Sequence, residues 1–176
     1  YSTTDNFMKM DVYGNLETCY MRKVPAQMLV KAHEILKTEH PELRLLIYDA
    51  LRPRSIQWTL WNTLSDVPEK ERTNFVADPR TGSIHNFGAA VDLTVAEKNG
   101  RHLDMGTHYV CFGDFAFPRL DDSLVVVGDV KQEQVNNRLI LRDAMTQAGF
   151  SPIATEWWHF DSFPYMETKR KFSIIE

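Results

Sequence analysis

Apolar positions recur at helical spacing over residues 25–39, where Leu29, Ala32, His33 and Leu36 share one side of a 3.6-residue turn. Pro25 suits a first helical turn, and His40-Pro41 ends the helix because proline disfavours helical backbone in the residue before it. Residues 43–48, Leu-Arg-Leu-Leu-Ile-Tyr, read as a buried strand that delivers Asp49-Ala50-Leu51-Arg52-Pro53 to its C-terminal end. A second helix is expected over 54–64, and a short strand over 89–95 carries Asp92. Residues 97–122, rich in glycine, aromatics and acids, read mostly as loops. The spacing then predicts a long helix over 130–148, with Asp129 placed to cap it, Gln132 to reach back as in a capping box, and Gly149 to end it. Leu139, Arg142 and Met145, with Leu141, Ala144 and Ala148, supply its two flanks. A final strand over 150–160 carries Glu156 and His159. Helices and strands do not alternate as in βαβ units. The expectation is therefore an α+β fold, one domain over 1–176 with a central, mostly antiparallel sheet flanked by helices.

Composition narrows the partners more than the fold. The chain is 43% hydrophobic and 25% charged, with a formal net charge of −4, which gives no reason to expect nucleic acid or an anionic membrane. No apolar run approaches the roughly 18–20 residues that span a bilayer, and no obligate protein partner is evident. Opening on Tyr1 rather than methionine, the chain reads as a processed product, and its localisation leans toward the periplasm. Cys19 and Cys111 form no C-x-x-C pair; buried free thiols are expected, with a single disulfide as the alternative.

The chemistry gathers in two blocks, Ser-Ile-His-Asn-Phe-Gly-Ala-Ala-Val-Asp-Leu-Thr (83–94) and Thr-Glu-Trp-Trp-His-Phe (155–160). Two imidazoles and one carboxylate, His85, Asp92 and His159, are the ligand set of a catalytic zinc site, which keeps a fourth position open for water. Iron, cobalt or manganese can occupy such a set as well. Glu156 is a second carboxylate, outside that set, and suits a general base. Gly88-Ala89-Ala90 lets the backbone turn between His85 and Asp92. Residues three apart point to opposite faces of a strand, so Glu156 and His159 can share a cavity only through a local irregularity at Glu156. Trp157 and Trp158 are expected in the core, with pocket walls as the alternative. Arg52, at a strand end, is the candidate to stabilise an oxyanion. His33 and His40 read as structural or exposed, and His102 and His108 could reach the site, although nothing in their spacing requires it. An H-E-x-x-H helix is absent.

These motifs resemble the zinc D-alanyl-D-alanine dipeptidases (VanX-like), part of the zinc D,D-peptidases that share a fold with the Hedgehog signalling domain. The similarity runs through Tyr-Ser-Thr-Thr-Asp-Asn-Phe (1–7), Tyr-Asp-Ala-Leu-Arg-Pro (48–53), the 83–94 block, Asp-Met-Gly-Thr (104–107), the 137–150 helix and Glu-Trp-Trp-His (156–159). The resemblance implies zinc on His85, Asp92 and His159, Glu156 as general base and Arg52 as oxyanion stabiliser. It adds Ser83 and Tyr1 as the residues lining the pocket for the dipeptide's charged ends. It also marks a departure: where the family carries an aromatic-acid pair whose aspartate receives the substrate amine, this chain has Tyr109-Val110, with Asp114 four residues further on. The expected activity is zinc-dependent hydrolysis of D-Ala-D-Ala or a close relative. The alternatives are a D,D-carboxypeptidase or L,D-endopeptidase acting on peptidoglycan stem peptides, and a non-catalytic zinc-binding module of the same fold.

Overall fold

A computed structural model describes all residues except 1, 5, 7 and 17. Tyr1 therefore lies outside the described residues. The helices are α1 (Lys23–Glu39), α2 (Arg54–Thr63), α3 (Asp121–Val127), α4 (Gln132–Gln147) and α5 (Tyr165–Lys171). The strands are β1 (Leu43–Asp49), β2 (Ala90–Glu97), β3 (Ser151–Pro152) and β4 (His159–Asp161), in one antiparallel sheet of order β1-β2-β4-β3. This is the α+β architecture expected from the pattern.

β2 is central and buried on both faces. Val91, Leu93 and Val95 point one way, into a core with Ala32 and Leu36 of α1 and Leu141, Ala144 and Met145 of α4. Ala90, Asp92 and Thr94 point the other way. Register puts Asp92 opposite Asp49 on β1 and opposite His159 on β4, so three polar side chains form a row across neighbouring strands.

Three expectations need correction. The long helix starts at Gln132, with Lys131 rather than Asp129 at its cap, and Gln134 rather than Gln132 reaches back: its Oε1 accepts the Lys131 N–H at 2.8 Å. Asp129 is instead spent on the preceding turn, its N–H bonded to the Leu124 carbonyl. The 97–122 region is mostly loop, as expected. It holds 3-10 turns at Asp114–Ala116 and Pro118–Leu120 and opens α3, which Gly128 ends at φ +82°. The expected single last strand is instead a hairpin, β3 and β4 pairing antiparallel across residues 153–158, within which the Trp157 N–H bonds the Ala116 carbonyl at 3.1 Å. Finally, Cys19 and Cys111 are free but not buried: Cys19 is exposed in the irregular segment before α1, and Cys111 is half-buried in a loop.

An ionic clasp ties the 104–116 loop to α4. Arg138 is 2% exposed and donates to Asp121 at 2.6 Å, to the Met105 carbonyl at 2.7 Å and to the Phe115 carbonyl at 2.9 Å. A buried guanidinium is tolerated because each face meets an acceptor. Trp157 adds a bond to Thr107 Oγ1 at 2.7 Å.

Gly88 ends the turn before β2 in left-handed conformation, φ +68°. A Cβ there would lie 3.3 Å from the Arg22 nitrogen, whose N–H already bonds the Gly88 carbonyl at 2.9 Å. Gly88→Ala is expected to destabilise the protein by about 1–2 kcal/mol, the cost of a side chain in this backbone region. A lower urea midpoint at unchanged slope checks it.

Candidate metal centre and active site

The turn carrying His85 is built before any ligand is considered. Ile84–Phe87 forms one 3-10 turn capped by Ser83, whose Oγ accepts the His85 N–H at 3.3 Å. Asn86 closes the capping box, its Oδ1 accepting the Ser83 N–H at 2.7 Å. Asn86 also donates through Nδ2 to the Arg52 carbonyl at 2.8 Å, and the Arg52 N–H bonds the His85 carbonyl at 3.1 Å. The Asp49–Pro53 turn and the His85 turn are thereby stitched together.

His85, Asp92 and His159 converge. His85 Nε2 lies 3.1 Å from His159 Nδ1 and 3.3 Å from Asp92 Oδ1, and His159 Nδ1 lies 2.9 Å from Asp92 Oδ1. Ligand atoms about 2.0–2.1 Å from a tetrahedral zinc stand about 3.3 Å apart, so this triangle is close to one face of such a site. The remote ring nitrogens are both occupied: His85 Nδ1 donates to the Ala50 carbonyl at 2.7 Å and His159 Nε2 to Asp161 Oδ1 at 2.9 Å. With those protons fixed outward, the neutral rings aim two lone pairs and a carboxylate at one point. The residues fit a divalent cation.

Electrostatics agree with the geometry. Burial opposes charge on Asp92, but the neighbouring His85 and hydrogen bonds from His159 and His85 hold its carboxyl well below the usual range. Burial likewise works against charge on His159, yet hydrogen bonds to Asp161 and Asp92 and the charges of both acids raise it well above the usual imidazole value. A proton and a metal ion compete for His159 Nδ1, so metal binding there is expected to depend on pH.

Glu156 lies just before β4, not within a continuous strand, so the expected irregularity takes the form of a turn at Trp157-Trp158. Its Oε2 is 3.9 Å from His159 Nδ1. The side chain keeps 29% of its surface exposed, but its carboxyl sits deep in the cleft among protein atoms. Burial pushes its pKa up, and Asp92 adds to the rise against the opposing His159, His85 and Arg52. Arg52 is buried and fixed: it bonds Asp49 Oδ2 through Nε at 2.8 Å and Nη2 at 2.7 Å, and Gln57 Oε1 through Nη1 at 3.0 Å. Its Nη2 lies 3.5 Å from Asp92 Oδ2, and Tyr109 donates its hydroxyl to the same oxygen at 3.2 Å.

Arg52, His85, Asp92, Glu156 and His159 line a cleft of about 620 Å³ with Ser83, Phe75, Val76, Val110 and Phe112. Trp157 and Trp158 are core residues at 4% and 2% exposure, as expected, although Trp158 also faces the cleft. His102 and His108 do not line it; they belong to a neighbouring hollow, where His102 meets the Tyr48 hydroxyl at 3.1 Å. Asp114 does not line it either, being exposed at the start of a 3-10 turn. Val110 does, at a strained φ of +57° that a β-branched side chain rarely adopts.

The sequence reading missed Asp49, Gln57, Tyr109 and Asp161. A signal existed for Asp161, since residues two apart share a strand face and His159 marks which face matters. Asp49 and Gln57 are near Arg52 in sequence but carry no pattern that marks them as its partners, and Tyr109 reaches Asp92 only through the tertiary fold.

A family model described as D-ala-D-ala dipeptidase matches residues 1–174. A D-alanyl-D-alanine dipeptidase of Escherichia coli (strain K12) is 34% identical over 161 residues, covering 92% of this chain and 75% of that protein. One from Enterococcus faecium is 29% identical over 174 residues, covering 91% and 82%. Among solved structures, that of the LdcB LD-carboxypeptidase, described as revealing the molecular basis of peptidoglycan recognition, is similar with a TM-score of 0.50 at 20% identity. The match covers 86% of this chain and 63% of that one, so this chain spans under two thirds of its length.

The raised Glu156 pKa has a sign that stability reports. A carboxyl raised on folding favours the fold in acid, fully below the unfolded value of about 4.3, and that contribution is lost as pH rises through the folded value. In the metal-free protein, Glu156→Gln is therefore expected to be at least as stable as wild type at pH 7. Its relative gain should shrink as pH falls toward 4, as read by denaturant titrations at both pH values.

Proposed function

The chain belongs to the D-ala-D-ala dipeptidase family, and from that premise we propose that it hydrolyses D-Ala-D-Ala or a closely related dipeptide at a zinc ion held by His85, Asp92 and His159. The observation that carries this reading is the convergence of three ligand atoms with their outer hydrogen bonds already made, beside a carboxylate of raised pKa. When bound, zinc supplies Lewis acidity, making a water acidic near neutral pH and polarising the scissile carbonyl. Glu156 Oε2, 3.9 Å from His159 Nδ1, stands beside the ligand set, within reach of a water held there. It accepts that water's proton at a carboxylate oxygen and passes it to the leaving amine nitrogen. Arg52, immobilised by Asp49 and Gln57, presents a fixed positive charge to the developing oxyanion at no reorganisation cost. Ser83 Oγ accepts from the His85 N–H, which leaves its hydroxyl proton to donate to a substrate carboxylate. Tyr1 is assigned to the same pocket on the resemblance alone.

One observation favours a second reading, cleavage of longer peptidoglycan stem peptides by D,D-carboxypeptidase or L,D-endopeptidase action. The cleft of about 620 Å³ falls in the range that holds drug-sized ligands, about 300–1,000 Å³, and exceeds what one dipeptide fills. Its wall offers Val110 where an acid is expected to receive a free amine. A non-catalytic zinc module has less support, since a structural site needs neither Glu156 nor Arg52.

Incubation with D-Ala-D-Ala and with a stem pentapeptide, with and without a chelator, tests the reading. Chelator-sensitive loss of the dipeptide is expected, and consumption of the pentapeptide alone would favour the second reading. Glu156→Ala should retain one equivalent of zinc while kcat falls at least about 100-fold, the scale of a lost general base; persistent turnover would sink that assignment. Val110→Asp should lower KM for the free dipeptide if a missing amine partner limits binding, and an unchanged KM would mean the amine is held elsewhere.

A further inference from the structure

We propose that Asp161 is the positioning residue that commits His159 to bind the metal through Nδ1. The inference rests on the metal-centre reading above. An imidazole has two nitrogens, and the partner of one decides which lone pair the other presents. His159 Nε2 stands 2.9 Å from Asp161 Oδ1, and His159 Nδ1 stands 2.9 Å from Asp92 Oδ1 and 3.1 Å from His85 Nε2. Only the ring with its proton on Nε2 leaves a lone pair at the centre. A carboxylate holds that proton more strongly than a neutral acceptor does, and so also makes Nδ1 a better donor to a cation.

The two histidines are served differently. His85 relies on the Ala50 backbone carbonyl, which no substitution there removes. His159 relies on a side chain two residues along its own strand. β4 pairing places Asp161 opposite Ala90 and Ser151, so a small residue on β2 leaves room for the carboxylate beside the ring. Asp161 is largely shielded, with 17% of its side chain exposed. It also lines the cleft, which makes direct contact with a substrate amine the rival role.

Zinc affinity, measured by competition with a chromophoric chelator, separates the possibilities. Wild type is expected to bind one equivalent. Asp161→Ala should weaken zinc about 10–100-fold, the usual cost of losing such a partner. Asp161→Asn, which keeps an acceptor oxygen, should recover part of the loss, and thermal melts of the metal-free proteins establish that both variants fold. At saturating zinc, KM for D-Ala-D-Ala should stay near the wild-type value. Zinc affinity in Asp161→Ala equal to wild type would overturn the proposal, as would unchanged affinity with a raised KM, the signature of an amine contact. If the alanine variant fails to fold, the asparagine variant carries the test: zinc binding at wild-type strength overturns the proposal, and several-fold weaker binding supports it. Failure of wild type to bind zinc would overturn the metal-centre reading itself.

Discussion

Antiparallel register is the constraint on which the site depends. Asp49, Asp92 and His159 are direct cross-strand neighbours on β1, β2 and β4, and a slip of one residue in either pairing would turn a member of the row to the opposite face. That face is fixed by the other side of β2. Val91, Leu93 and Val95 must meet α1 and α4, and their burial forces Asp92 outward into the cleft. The hydrophobic core thus aims a charged residue without touching it.

Charge balance is the second organising principle. Asp49 and Asp92 flank Arg52, and Asp92 and Asp161 flank His159, so positive groups are interleaved with acids in a poorly solvated space. Such an arrangement costs desolvation and holds together only while each charge keeps its partner. Tyr13 extends it outward, donating its hydroxyl to Asp49 Oδ1 at 2.8 Å. Arg52 and Asp92 are therefore held in place by the protein's own hydrogen bonds.

The cleft's outer wall comes from a different source. Loop 104–116 brings Tyr109 and Val110 to the site and is clamped by Arg138, Gln134 and Asn137 of α4, the last two bonding Asp104 at 2.8 Å each. The helix that covers one face of the sheet thereby also anchors the loop that shapes the cleft. Tyr109 stacks on Tyr48 with ring centroids 4.4 Å apart and bonds Asp92, so the loop is tied at both ends of its reach.

Local pattern was enough for α1, β1, α2, β2 and most of α4, because each carries a periodic apolar face and a stop signal such as His40-Pro41 or Gly149. The sequence motifs, among them the 83–94 and 156–159 blocks, also sufficed to name the family, and His85, Asp92 and His159 come together as a group that could hold a metal ion. The short elements were not legible: α3 and α5 have seven residues each, too few to show a period, and β3 and β4, two and three residues long, are arms of a hairpin rather than one strand. Long-range contact alone decided that Tyr109 reaches Asp92, whereas Asp49, Gln57 and Asp161 lie close in sequence to the groups they hold, and it is the folded turn and strand that aim them there. The chain carries its donor atoms in the sequence, but their orientation is a property of hydrogen bonds between segments, His85 to Ala50, Asn86 to Arg52 and His159 to Asp92, that only the fold brings within 3 Å of each other.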